Sequence, residues 1–187
     1  MDGPGAAPLA GRAAGARPAG PRVVVIGVGN PMRRDDGAGI ATVERARPRL
    51  PSGVEVMTLG GEATGLLEAW TGAGLAVVVD AVRWDRPPAG GVTRIDATAD
   101  PEALSGWGGG TSSHGLGVAE AIALGRALDR LPRRLVLLLV TLTEEGHGAG
   151  LSPTAERAVE EAVELLVAEV AAAGGDRAQG EAPVSGR

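Results

Sequence analysis

The stretch "LAVVVDAV" (75–82) is apolar at every position except Asp80, "RVVVIGV" (22–28) and "RLVLLLVTL" (134–142) share its character, and "VEVMTL" (54–59) is a further strand-like run. Such near-continuous runs suit strands buried on both faces, the situation a parallel sheet meets between two layers of helices. With three Trp and neither Phe nor Tyr, the core has to be built from Val, Leu, Ile and Ala, which fits the same picture. A fifth run, "GVTRID" (91–96), sets Val92 and Ile95 among polar neighbours behind "RPPAGG" and is expected at a sheet edge, antiparallel to the rest. Helix-like segments separate the runs, over about 37–47, 63–71 and 115–130. The third carries a stripe of Leu116, Ala119, Ala123, Ala127 and Leu128. A last helix is expected after Ser152 as N-cap, with Pro153 at its first position and Ala155, Ala158, Val159, Ala162, Leu166 and Val170 facing inward. The fold class is therefore α/β, a three-layer sandwich with a mainly parallel sheet of about five strands and helices on both faces.

Residues 22–173 form the expected single domain, flanked by a Gly- and Pro-rich extension (1–21) and a polar tail (174–187), both expected to be disordered. The net charge is −5 and every basic residue is Arg, scattered rather than gathered into a stripe, so nucleic acid is not an expected partner. No run has the length of a membrane span and the extension lacks a signal peptide's apolar segment, so no membrane partner and a cytoplasmic protein are expected. The absence of Cys excludes a thiol nucleophile and thiolate metal ligation by this chain. Without Lys there is no Walker phosphate loop, and neither Gly-x-Ser-x-Gly nor His-Glu-x-x-His occurs.

"GVGNPMRRDDGAG" (27–39) leads from the first strand through a glycine turn into a helix. It is not a dinucleotide fingerprint, because Met32 occupies the third glycine position and two carboxylates would repel a pyrophosphate. Gly27 and Gly29 permit a tight exit from the strand, and Gly37 and Gly39 a close approach of the helix or a ligand. Helix capping accounts for one aspartate, with Asp35 the better placed, and leaves Asp36 in want of a role. Asp80 closes an apolar run at the carboxyl end of a central strand, where a cap, a buried hydrogen bond or a ligand contact are the available readings. His114, in "GGGTSSHGLG", falls at the first turn of the third helix with Ser112 or Ser113 as its cap, or stands as a lone loop histidine. Together Asp36, Asp80 and His114 map to one rim of the sheet, where two carboxylates and an imidazole make an open site suited to a divalent cation such as nickel or zinc. His147, in "TEEGHGAG", belongs to a solvent loop or touches substrate.

These pieces resemble the maturation endopeptidases of nickel-iron hydrogenases. "GVGNPMRRDDGAG" is similar to the family's opening signature, and "GGEATGLLEAW", "VVVDAV", "SSHGLGVAEAIAL" and "GHGAGLSPTAERAV" follow in the family's order, covering about residues 22–170. The resemblance implies a protease that removes a C-terminal extension from the precursor of a nickel-iron hydrogenase large subunit after nickel insertion. It places the metal-contacting and catalytic roles on Asp36, Asp80 and His114, meeting nickel carried by the substrate rather than kept by the enzyme. Asp36 is the expected general base; Gly29, Asn30, Asp35 and His147 are the expected substrate contacts. Met32 replaces a usual Leu, and Thr141 and Leu142 stand where many members carry an acidic residue and a proline. The alternatives are a nickel-sensing chaperone that cuts nothing and a related hydrolase with a resident metal.

Overall fold

The computed structural model describes residues 21–83, 91–104, 113–142, 144 and 146–179. Five strands form one sheet: β1 (Val23–Val28), β2 (Glu55–Leu59), β3 (Leu75–Val82), β4 (Val92–Asp96) and β5 (Arg134–Thr141), in the order β2-β1-β3-β5-β4. All pairings are parallel except that of β4 with β5, so the alternating run lies at the edge and antiparallel, as expected. β1, β3 and nearly all of β5 are buried along their length, which is why their sequences do not alternate.

Helices α1 (Ala38–Ala46) and α4 (Pro153–Gln179) cover one face, over Val25, Val77, Val79, Val136 and Leu138. Helices α2 (Ala63–Trp70) and α3 (Ser113–Ala127) cover the other, over Val24, Ile26, Val78, Leu137 and Leu139. The six inward positions expected on α4 are all buried. Ser152 caps it, its Oγ accepting the Ala155 N–H at 3.1 Å. The helix continues to Gln179, past the boundary drawn at residue 173, while residues 1–20 and 180–187 lie outside the described residues.

The helix expected over 37–47 is α1, entered through a 3-10 turn, Arg34–Gly37. One local expectation is corrected. On α3 the buried face is Val118, Ala121 and Ile122, whereas Ala123, Ala127 and Leu128 of the expected stripe face solvent. Two bulky apolar side chains at i and i+4 outweigh a stripe made mostly of alanine, because buried area drives the choice of face.

Strand order reverses between β1 and β3, since β2 lies beyond β1 on one side and β5 beyond β3 on the other. A crevice at the carboxyl ends of such a strand pair is where open α/β sheets bind ligands. α1 is seated hard against this point. A Cβ on Gly39 would collide with the carbonyl oxygens of Val28 and Val79, and one on Gly27 would come within 2.6 Å of Val43 Cγ2 and 2.7 Å of the Gly39 carbonyl oxygen. Gly65, inside α2, has nothing within 4 Å of a Cβ. Urea denaturation is expected to show Gly39→Ala losing about 2–3 kcal/mol through overpacking against backbone. Gly65→Ala should gain about 0.5–1 kcal/mol through reduced unfolded-state entropy.

Candidate functional site

The turn leaving β1 is shaped by its own backbone. Gly29 sits at φ +139, with its N–H donating to the Leu59 carbonyl at 3.3 Å, and a Cβ there would strike the Asp36 carbonyl. Asn30 Oδ1 accepts the Met32 N–H at 2.9 Å, closing an Asx turn. Arg34 adopts φ +53, a left-handed conformation uncommon for a side chain of its size. It is held there from outside: Arg34 N–H donates to the Gly148 carbonyl at 2.9 Å and Gly148 N–H to the Met32 carbonyl at 3.0 Å. This stitching carries His147, which is exposed, to the same rim as the turn.

The two aspartates are separated in function by burial. Asp35 is completely buried and caps no helix of its own segment. Its Oδ1 accepts the Ser152 N–H at 2.7 Å, and its Oδ2 accepts the Glu144 N–H and the Ser152 hydroxyl, each at 2.9 Å. The expectation that Asp35 caps its own helix is thus corrected: the carboxylate bonds inside the fold, holding the start of α4 against the turn. Asp36, next along the 3-10 turn, is 8% exposed and close enough to Asp80 for its charge to act there.

Asp80 is fully buried, on the sheet face covered by α2 and α3, one position beyond the last pairing of β3 with β1. Neither of its carboxylate oxygens has a hydrogen-bond partner. Burial pushes its pKa up to about 7; the Ala81 N–H opposes this without reaching hydrogen-bond geometry, and the Asp36 charge adds to it. An open rim was expected here, and at Asp80 it is not open. His114 is the second residue of α3, on the same sheet face as Asp80, though its side chain lies outside the described residues, as does Ser112. Gly117 permits this placement, because a Cβ there would collide with the Gly61 carbonyl in the loop after β2. The structure thus brings Asp36 and Asp80 together at the switch point and starts α3 above the same face.

A separate pocket of about 240 Å³ lies between the turn, α1 and α4, lined by Pro31, Arg34, Ile40, Arg45, Leu151 and Glu156 among others. It is on the opposite side of the sheet from Asp80, and its Arg45 is engaged by Glu156 at 2.7 Å. Sequence reasoning missed the unpartnered Thr141 hydroxyl, buried at the end of β5; a Thr closing an apolar strand was the available signal.

A mainly parallel α/β sandwich with paired acidic side chains at its strand-order reversal defines a three-layer α/β domain with a carboxylate site at the switch point. The chain belongs to the hydrogenase maturation protease family: the family model HycI, hydrogenase maturation protease, matches residues 41–169, a span that includes Asp80 and His114 and begins after Asp36. It is 28% identical over 149 residues to the hydrogenase 2 maturation protease of Escherichia coli K12, covering 79% of this chain and 89% of that one. It is 29% identical over 150 residues to the hydrogenase expression/formation protein HupD of Thiocapsa roseopersicina, covering 79% of this chain and 66% of the relative. The solved hydrogenase maturating endopeptidase HybD of E. coli superposes with a TM-score of 0.73 at 27% identity, covering 82% of this chain and 94% of that one. The protein is accordingly a peptidase. No helix among the described residues is long and apolar enough to cross a membrane.

Linkage gives the site a pH signature. A carboxyl whose pKa is near 7 folded and about 4 unfolded binds more protons in the folded state between those values, so its contribution to stability is lost as pH rises from 4 through 7. Thermal melts should therefore find Asp80→Asn more stable than wild type at pH 8, with the gap closing at pH 4.5; a gap independent of pH would contradict the assignment.

Proposed function

We propose that this protein is the endopeptidase that removes a C-terminal extension from the precursor of a nickel-iron hydrogenase large subunit once nickel has been inserted. The observation that carries the reading is the Asp80 carboxylate, buried beside Asp36 with both oxygens unpartnered at the strand-order reversal. Acceptors without donors, in apolar surroundings and next to a second carboxylate, are costly in the free protein and suited to a divalent cation. The resemblance of the motifs adds His114 as the third contact. Nickel arrives with the substrate and acts as the feature that is read, so a precursor without it leaves the carboxylates unsatisfied.

Engagement of the metal by Asp36, Asp80 and His114 positions the scissile peptide, and the metal polarises the peptide carbonyl or a water. Asp36, the less buried carboxylate, accepts a proton from the attacking water as its oxygen bonds to the carbonyl carbon. The same proton passes to the leaving amine as the C–N bond breaks, with no covalent enzyme intermediate. Asp80 contributes charge and orientation, its ionised form favoured once a cation lies beside it. Gly29 and Asn30 in the turn and His147 on the adjoining loop are the proposed substrate contacts. The partner is the large-subunit precursor, and the compartment is the cytoplasm.

The test is cleavage of the purified precursor followed by gel shift. Asp36→Asn preserves shape and removes the basic carboxylate, so a loss of about 100-fold or more in rate is expected, in the range general-base catalysis supplies. Unimpaired cleavage by that variant would remove Asp36 from the base role. Metal analysis of the purified protein should find no stoichiometric nickel or zinc, and finding either would favour a resident-metal hydrolase.

A further inference from the structure

Six polar or charged side chains are buried among the described residues: Asp35, Asp36, Thr42, Asp80, Thr141 and Ser152. Asp35 and Ser152 bond each other, and the Thr42 hydroxyl donates to the Ala38 carbonyl at 2.8 Å. Asp80 and Thr141 do not bond within the fold: Asp80 Oδ1, Asp80 Oδ2 and Thr141 Oγ1 are all buried without a hydrogen-bond partner. Buried polar atoms are rarely left so, and three on adjacent strands are not a random scatter. The unpartnered Trp70 Nε1 lies at the end of α2, toward the amino ends of the strands and away from this group.

Thr141 and Asp80 are neighbours by register. β3 and β5 pair in parallel with Asp80 opposite Leu139 and Val82 opposite Thr141, so Thr141 lies one diagonal step from Asp80. Both belong to the face where Val78, Val82, Leu137 and Leu139 pack, so both side chains rise on the α2/α3 side. The Thr141 backbone is fixed, with its N–H donating to the Gly91 carbonyl at 3.0 Å and the Leu142 N–H to the Val82 carbonyl at 2.9 Å. A hydroxyl thus lies on the neighbouring strand, one diagonal step from a carboxylate on the same face of the sheet, and both lack a partner within the fold.

We infer that Thr141 is a positioning residue of the cleavage site, whose hydroxyl donates to the Asp80 carboxylate when substrate is engaged. This rests on the endopeptidase reading above. The hydroxyl fixes one Asp80 oxygen and leaves the other for the substrate's metal, a division of lone pairs that an ionised carboxylate accommodates. In the free protein the bond is not made, so the hydroxyl adds nothing to stability there.

Thr141→Val is nearly isosteric and removes only the hydroxyl; Thr141→Ser keeps it. The free Thr141→Val protein is expected to melt at or above the wild-type temperature, because an unpartnered buried hydroxyl is replaced by a methyl. In steady-state cleavage of nickel-loaded precursor it should lose about tenfold or more in kcat with KM changed less than about twofold, and Thr141→Ser should recover most of the rate. Wild-type kcat in Thr141→Val, or a lowered melting temperature in the free variant, overturns the inference and leaves the endopeptidase reading standing. A wild-type protein that cleaves no precursor brings down that reading and this inference with it.

Discussion

The buried carboxylate of Asp35 is the tie on which the arrangement of the site depends. It joins a turn leaving β1 to residues more than a hundred positions later, accepting from the Glu144 and Ser152 N–H groups and the Ser152 hydroxyl. Ser152 in turn caps α4, so one side chain fixes the exit of the first strand, the segment after the fifth strand and the start of the last helix. Charge-assisted bonds to a fully buried acceptor are among the stronger polar contacts available to a fold. Because Asp35 is locked inward, Asp36 is directed toward the carboxyl end of the sheet, where its charge reaches Asp80.

The fold and the site place opposite demands on that end of the sheet. Packing requires apolar surroundings and glycines at Gly27 and Gly39 so that α1 lies against β1 and β3. The site sets a carboxylate in the same surroundings, with both oxygens unpartnered and its pKa raised by burial to about 7. Local rules broken together at one place, while strands and helices elsewhere obey them, are the pattern expected where function has been fitted to a fold. The free protein carries the cost of an unsatisfied acceptor, which on the proposed reading a cation arriving with substrate would relieve.

Much of this was legible in the chain. Continuous apolar runs announced buried parallel strands, alternation marked β4 as the edge, and the six-residue stripe on α4 named its buried face. Asp36 and Asp80 were readable as a pair because one follows an apolar run and the other closes one, at the same end of the sheet. The face of α3 was misread since alanine is tolerated both inside and outside, and only packing shows that Val118 and Ile122 take the interior. The role of Asp35 was hidden for a different reason: its partner Ser152 is 117 residues away, and a capping rule looks only a turn ahead. The Gly174–Gly175 pair, in the polar tail read from composition, does not end α4, which continues through it to Gln179. Nothing local announced the pairing of Arg33 with Gly148, since it joins distant segments, and a Thr closing the apolar run of β5 was the sole local sign of the unpartnered Thr141 hydroxyl.

The measurement that bears most directly on the account is the intact mass of a nickel-iron hydrogenase large-subunit precursor after incubation with this protein, compared between nickel-loaded and nickel-free substrate. The account predicts loss of a C-terminal peptide from the loaded form alone. Equal cleavage of both forms would contradict the reading of Asp36 and Asp80 as contacts to a substrate-borne metal, and tight binding without any mass change would make the protein a chaperone of the precursor instead.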